Sequence, residues 1–181
     1  MKRKITQLNP SFLFRGEKMF EQTLFEIVSA GLFAAALVHG MRRYNPRRLL
    51  IALATVAVLM IAEENAVMML TNNYAYYEYH LWVGRLPVAI ILSWLVVVYL
   101  GSQLSDVVKN RFLGALITSS IDLVLEPAAY YWGLWVWYPT TVYSPVSYFN
   151  APIYNGVGWF LFTLIGVLIL NKMCTCHSRV P

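Results

Sequence analysis

Four carboxylates of this 181-residue chain stand inside apolar stretches, where a lipid-embedded helix tolerates them poorly. Glu63 and Glu64 interrupt the run that begins at Leu49, and Asp122 and Glu126 close the run that begins at Phe112. An ionised carboxylate at the centre of a spanning helix costs roughly 2.5–3.5 kcal/mol, so four facing lipid would cost on the order of 10 kcal/mol. Such groups face a protein interior or a wet cavity instead, and there they mark function. Asp122 and Glu126 are four apart and share a helix face, to which Ser119 adds a hydroxyl. Like charges that close in a low dielectric do not both ionise cheaply, so one is expected to hold its proton at neutral pH. A protonated carboxylic acid in an apolar pocket is a competent general acid. The competing account has these groups hydrogen-bonded to loop backbone or tyrosines at the membrane surface, Glu126 above all. Glu63 and Glu64 point about 100° apart on a helix, which predicts that only one of them faces the cavity.

Aromatic residues form a second population. Tyr74, Tyr76, Tyr77, Tyr79 and Trp82 fall in one connecting segment; Tyr130, Tyr131, Trp132, Trp135, Trp137, Tyr138, Tyr143 and Tyr148 fall in another. One account is an interfacial aromatic belt. The other is a lid or cleft for an elongated apolar substrate, in which ring faces also stabilise a carbocation. Arg85 either pairs with a carboxylate of the cluster or snorkels to the interface. His39 and His80 fall at helix ends and read as interface residues. No aspartate-rich magnesium-binding pair, Gly-rich phosphate loop or metal-ligand spacing appears, so no metal and no cofactor is predicted. Cys174, Cys176 and His177 are too few for a metal site and read as a solvated end.

The elements that must position these groups are helices. The chain is 59% hydrophobic and 13% charged, with a mean hydropathy of +0.55, whereas soluble domains carry about a quarter charged residues. The predicted fold is all-α: a polytopic transmembrane bundle of about five spans, near residues 22–41, 48–70, 86–104, 111–129 and 153–172. Pro127 limits the fourth span, and the aromatic stretch 130–138 after it reads as an interfacial or re-entrant segment. Residues 1–20 form a basic interfacial segment, 21–172 a single transmembrane domain, and 173–181 a tail. The first residues lack the apolar core of a signal peptide. The net charge of +5 suits membrane topology and anionic lipid, and no nucleic-acid partner is expected.

Lys and Arg set the orientation. Arg42, Arg43, Arg47 and Arg48 place the first loop in the cytoplasm, and Lys109, Arg111, Lys172 and Arg179 agree. Five basic residues within the first 18 dissent: either that segment lies on the surface outside the rule, or the span count is off by one. On this topology Glu63 lies roughly 22 Å and Asp122 roughly 17 Å from the cytoplasmic helix ends, with Glu126 a turn higher. Glu26, Asn155 and Trp159 fall at similar depth on other helices. The acidic cluster is thus expected in the non-cytoplasmic half of the cell membrane.

Asp122-Leu-Val-Leu-Glu126-Pro127-Ala128, then Gly133-Leu-Trp135-Val-Trp137, then Asn155-Gly-Val-Gly158-Trp159 together resemble the membrane carotenoid biosynthesis protein family. That family includes bisanhydrobacterioruberin hydratases and related carotenoid end-group hydratases. Glu63-Glu64 closing the second helix, the Tyr-rich loop and Arg85-Leu86-Pro87 also look like its pattern, and the similarity spans roughly residues 25–170. Family members are typically longer, with more spans. The resemblance implies a hydro-lyase that adds water, without a cofactor, across a terminal C=C of an acyclic carotenoid or other long isoprenoid. Asp122 or Glu126 would donate the proton, and Glu63 or Glu64 would orient water or balance charge. Asn155 would position by hydrogen bonding, and Trp135, Trp159, Tyr77 and Arg85 would contact substrate. Beyond the substrate and the lipid bilayer, other membrane enzymes of carotenoid synthesis are implied as partners. Two rivals remain: a lycopene-type cyclase starting from the same protonation, and a non-catalytic carotenoid-binding or accessory subunit. A proton-coupled transporter fits less well, because its carboxylates would connect to both membrane faces.

Overall fold

Two asparagines mark where the chain turns at one end of the molecule. In the computed structural model, which describes residues 18–71, 74–138, 147–149 and 151–174, helix α1 (Lys18–Arg43) ends just before Asn45. The Asn45 side chain accepts the Arg48 backbone N–H (3.2 Å), and Pro46 opens α2 (Pro46–Thr71) without needing a donor of its own. Helix α3 (Val88–Val108) stops at Lys109, which adopts a left-handed φ of 56°. Asn110 then caps α4 (Arg111–Ser119) by accepting the Leu113 N–H (3.1 Å). Helices α5 (Asp122–Trp132) and α6 (Ile153–Cys174) complete the bundle.

Five stretches are long and apolar enough to cross a membrane, the fourth being α4 and α5 in succession. The protein is an all-α, multi-pass membrane protein, as its composition implied. Several bounds differ from the sequence reading. Helix α3 runs through residues expected to be loop, leaving only Lys109 and Asn110 between α3 and α4. Residues 18–20 continue α1, and the remainder of the expected interfacial segment lies outside the described residues. Helix α6 continues through Cys174, which is buried rather than solvated; Cys176 and His177 lie outside the described residues.

Helix α3 is the centre of the bundle and packs against α1, α2, α4 and α6. Its apolar residues Ile90, Trp94, Leu95, Val98 and Tyr99 are buried. Helix α1, by contrast, exposes Phe20, Ile27 and Leu32, as a lipid-facing helix must. Hydrogen bonds tie α3 to its neighbours: Ser29 to Ser93 (2.8 Å), Ser102 to Asn171 (2.5 Å), and His39 to Tyr99. Without an aqueous phase to drive association, such polar contacts and close packing hold spanning helices together. The closest packing is at Gly114, where an added Cβ would lie 2.7 Å from the Ser105 backbone nitrogen.

The opposite end of the molecule carries the short strands. β1 (Tyr74–Tyr76) pairs antiparallel with β4 (Trp135–Trp137), joining the α2–α3 connection to the α5–α6 connection. The hairpins β2 (Trp82–Val83)–β3 (Leu86–Pro87) and β5 (Ser147–Tyr148)–β6 (Ala151–Pro152) flank this ribbon. The aromatic stretch after the fourth span is therefore the last turn of α5 followed by a strand that caps the bundle. Pro127 sits inside α5 and cannot donate to the carbonyl four residues back. That carbonyl, Leu123 O, accepts the Tyr148 hydroxyl instead (2.8 Å). Gly133, at φ 62°, ends the helix and turns the chain into β4, and its carbonyl accepts the buried Gln22 side chain (2.8 Å).

Gly114→Ala should lower stability by about 1–3 kcal/mol, the usual range for overpacking. Gly31→Ala, with nothing within 4 Å of the new methyl, should not. Thermal unfolding of both variants in one detergent checks the contrast; equal melting temperatures would refute the close α3–α4 contact.

Candidate functional site

The cavity at the strand-capped end is built around one carboxylate. Glu126, on α5, is buried and accepts three N–H groups. The Trp135 and Trp137 indoles donate to its Oε2 (3.1 and 2.9 Å), and Asn155 Nδ2 donates to its Oε1 (2.8 Å). Strand alternation explains the paired indoles, since residues two apart in β4 share a face. Asn155, in the first turn of α6, also lies 3.4 Å from both Asp122 oxygens. Asp122 is buried beside Asn155 and is not on the cavity wall, whereas Glu126 is. Ser119, expected on the same face, bonds to Leu116 O within the last turn of α4 and is not on the cavity wall.

Across from Glu126, the last turns of α2 bring Glu63, Glu64 and Val67 to the wall. Both glutamates border the cavity, which corrects the expectation that only one would. The space wraps around this flank of α2, so side chains 100° apart both reach it. Glu64 accepts the Tyr74 hydroxyl and interacts electrostatically with Glu126, while Glu63 interacts with Glu64. No N–H or O–H group among the described residues donates to the Glu63 carboxyl group. Burial, with the nearby Glu64 charge, holds the Tyr74 and Tyr76 hydroxyls well above the ordinary phenol range, so both remain neutral.

The cavity holds about 230 Å³. Its floor is a stacked pair of indoles, Trp94 of α3 and Trp159 of α6, with ring centres 4.1 Å apart and planes at 17°. Phe162 meets Trp94 edge-on at 6.0 Å. Phe25, Ile90 and Leu125 add carbon walls, and Gly158 leaves open space beside the indoles. Among the described residues, no three His, Cys, Asp or Glu side chains are placed to hold a metal ion.

Of the residues singled out from sequence, Glu63, Glu64, Glu126, Asn155, Trp135 and Trp159 meet at this cavity. Tyr77 does not; it lines a neighbouring space of about 100 Å³ that also touches Glu126. Arg85 is exposed, with its backbone N–H on the Asn65 side chain (3.1 Å), and pairs with no carboxylate of the cluster. Glu26 lies off the wall and accepts the His80 backbone N–H (2.8 Å), with the His80 ring nitrogen Nδ1 at 2.6 Å. Trp94 and Ser93 escaped the sequence reading, although they interrupt the aliphatic run of the third span and so were visible as a signal.

A profile of the family described as carotenoid biosynthesis protein matches residues 22–179, a stretch that includes every residue of the cavity wall. The chain belongs to that family. No curated protein and no solved structure matches it. Membership gives this carotenoid biosynthesis protein a general role in making carotenoids, and it agrees with the resemblance read from the Asp122, Trp135 and Asn155 segments.

In this carotenoid biosynthesis protein, Trp137→Phe keeps the ring and removes one donor to Glu126. The loss should cost about 0.5–1.5 kcal/mol, the usual net worth of one hydrogen bond, and lower the melting temperature in detergent. An unchanged melting temperature would show that the indole N–H is not holding the carboxylate.

Proposed function

We propose that the protein hydrates a terminal C=C of an acyclic carotenoid or related long isoprenoid. The observation that carries this reading is a carbon-walled, indole-floored cavity with three carboxyl side chains, those of Glu63, Glu64 and Glu126, on its wall. Its volume of about 230 Å³ is below the roughly 300–1,000 Å³ of pockets that enclose drug-sized ligands. It suits one end group of a long chain whose remainder stays in lipid.

Protonation of a trisubstituted alkene forms a C–H bond and leaves a tertiary cation. The proton comes from a carboxylic acid, whose O–H electron pair stays on the new carboxylate. Water then forms the C–O bond and gives its proton to a second carboxylate. Glu63 suits the donor role, because nothing among the described residues donates to its carboxyl group. Glu126 suits the acceptor role, because three N–H groups already fix it as an acceptor. This assignment reverses the roles that the family resemblance implied. Between turnovers Glu126 releases its proton to water and Glu63 is reprotonated from water; Glu64, held by the Tyr74 hydroxyl, borders the same cavity. Asn155 positions Glu126, and Asp122 positions Asn155. The Trp94–Trp159 pair offers a ring face to the cation. Arg42, Arg43, Arg47 and Arg48 gather at the other end of the bundle, which favours the cavity lying in the non-cytoplasmic half of the cell membrane.

Expression in a host that makes lycopene or a bacterioruberin precursor, with pigment mass spectrometry, tests the reading. The wild type should yield a product heavier by one water. Glu63→Gln and Glu126→Gln should lower that yield by roughly 10²–10⁴-fold, the usual contribution of acid–base catalysis. Asp122→Asn should have a much smaller effect. An isomer of unchanged mass would replace hydration with cyclisation. No pigment change, with protein present in the membrane, would favour an accessory role.

A further inference from the structure

We propose that the space of about 100 Å³ beside the β1–β4 ribbon is a water site that supplies Glu126 from the aqueous side. The proposal rests on the hydration reading above and specifies where its second reactant binds. Glu126 lies on the walls of both cavities, and so do Trp135 and Trp137. Strand β4 therefore partitions two spaces that meet at one carboxylate.

The two reactants differ in solubility. A carotenoid end group arrives through lipid, and on filling the larger cavity it expels whatever water was there. Water must then reach the cation by another path, and the base that takes its proton must face that path. Glu126 is the carboxylate of the cluster that borders the smaller space. That space is at the strand-capped end, where the chain leaves the spanning helices, and Tyr77 and Tyr130 add polar side chains to its lining. A buried water needs room of at least about 10–15 Å³ and two to four polar partners, and this space exceeds the room needed for one. Val136 and Tyr77 line the smaller space and not the larger one. In β4, Val136 alternates with the two tryptophans that bond Glu126, so it can be changed without touching either donor.

Val136→Phe, in β4, and Tyr77→Trp, just after β1, each narrow the smaller space from a different segment. Full-length wild type, both variants and Glu63→Gln would be given lycopene in membranes suspended in D₂O. In the narrowed variants the cation still forms, finds no water, and loses a proton from the newly deuterated carbon to the Glu63 carboxylate, which exchanges with D₂O once the cavity is empty. Hydrated product should fall at least tenfold, while deuterium still enters the end group of recovered lycopene, with a C–D bond formed and a C–H bond broken. Glu63→Gln should lose both signals. The proposal is overturned if both narrowed variants hydrate at the wild-type rate, or if deuterium entry disappears together with hydration. Using two variants keeps the result readable when one of them does not accumulate. A wild type that adds no water to lycopene would remove the hydration reading, and this water site with it.

Discussion

A carboxylate withdrawn from water needs donors, and Glu126 obtains its three from two elements far apart in sequence. Two come from the indoles of β4 and one from the amide of Asn155 in α6. Removing such a group from solvent costs several kcal/mol unless it is fully bonded. Much of the strand-capped end follows from that requirement. The chain has to leave α5 abruptly at Gly133, run back over the helix as β4, and be held there by pairing with β1. The same pairing carries Tyr74 to Glu64, so one ribbon serves two carboxylates on two helices.

The break at Pro127 imposes a second demand on the same helix. A spanning segment has no water to satisfy a freed carbonyl, so a neighbour must supply the donor. Tyr148 does so from β5, and Gln22 of α1 bonds the carbonyl of Gly133. Helix α5 is short and has few packing partners of its own, and these polar ties fix it against α1, the ribbon and α6. Its Glu126 side chain is consequently held by structure on three sides. Preorganised hydrogen bonds of this kind are what chemistry on a developing charge requires.

Beneath this cap, α3 does the structural work with carbon. Its buried aliphatic residues pack against four helices, and Trp94 passes from that core into the cavity floor by stacking on Trp159. The result is a site with acids and amides on its upper wall and aromatic carbon below. This division suits a carotenoid pathway, in which reactive double bonds sit at the end of a long apolar chain. A helical bundle open to lipid can admit such a chain by one end without enclosing all of it.

Much of this is legible in the sequence itself. The five apolar runs, the arginine-rich turns and the paired carboxylates follow from periodicity and solvation cost, which act locally or through the bilayer. They were enough to place a membrane bundle with an acidic cluster toward one end, and the Asp122, Trp135 and Asn155 segments were enough to indicate the family. Tertiary structure alone decided which side chains meet. Asp122 and Glu126 share a helix face, yet only Glu126 reaches the cavity, because Asn155 comes between Asp122 and the open space. Glu63 and Glu64 point apart along α2, yet both line the cavity because it curves around that helix. Trp137, which the sequence left between an aromatic belt and a substrate cleft, is a donor to a carboxylate eleven residues earlier. Helical and strand periods tell which way a side chain leaves its own backbone; what waits there depends on how distant segments close over one another.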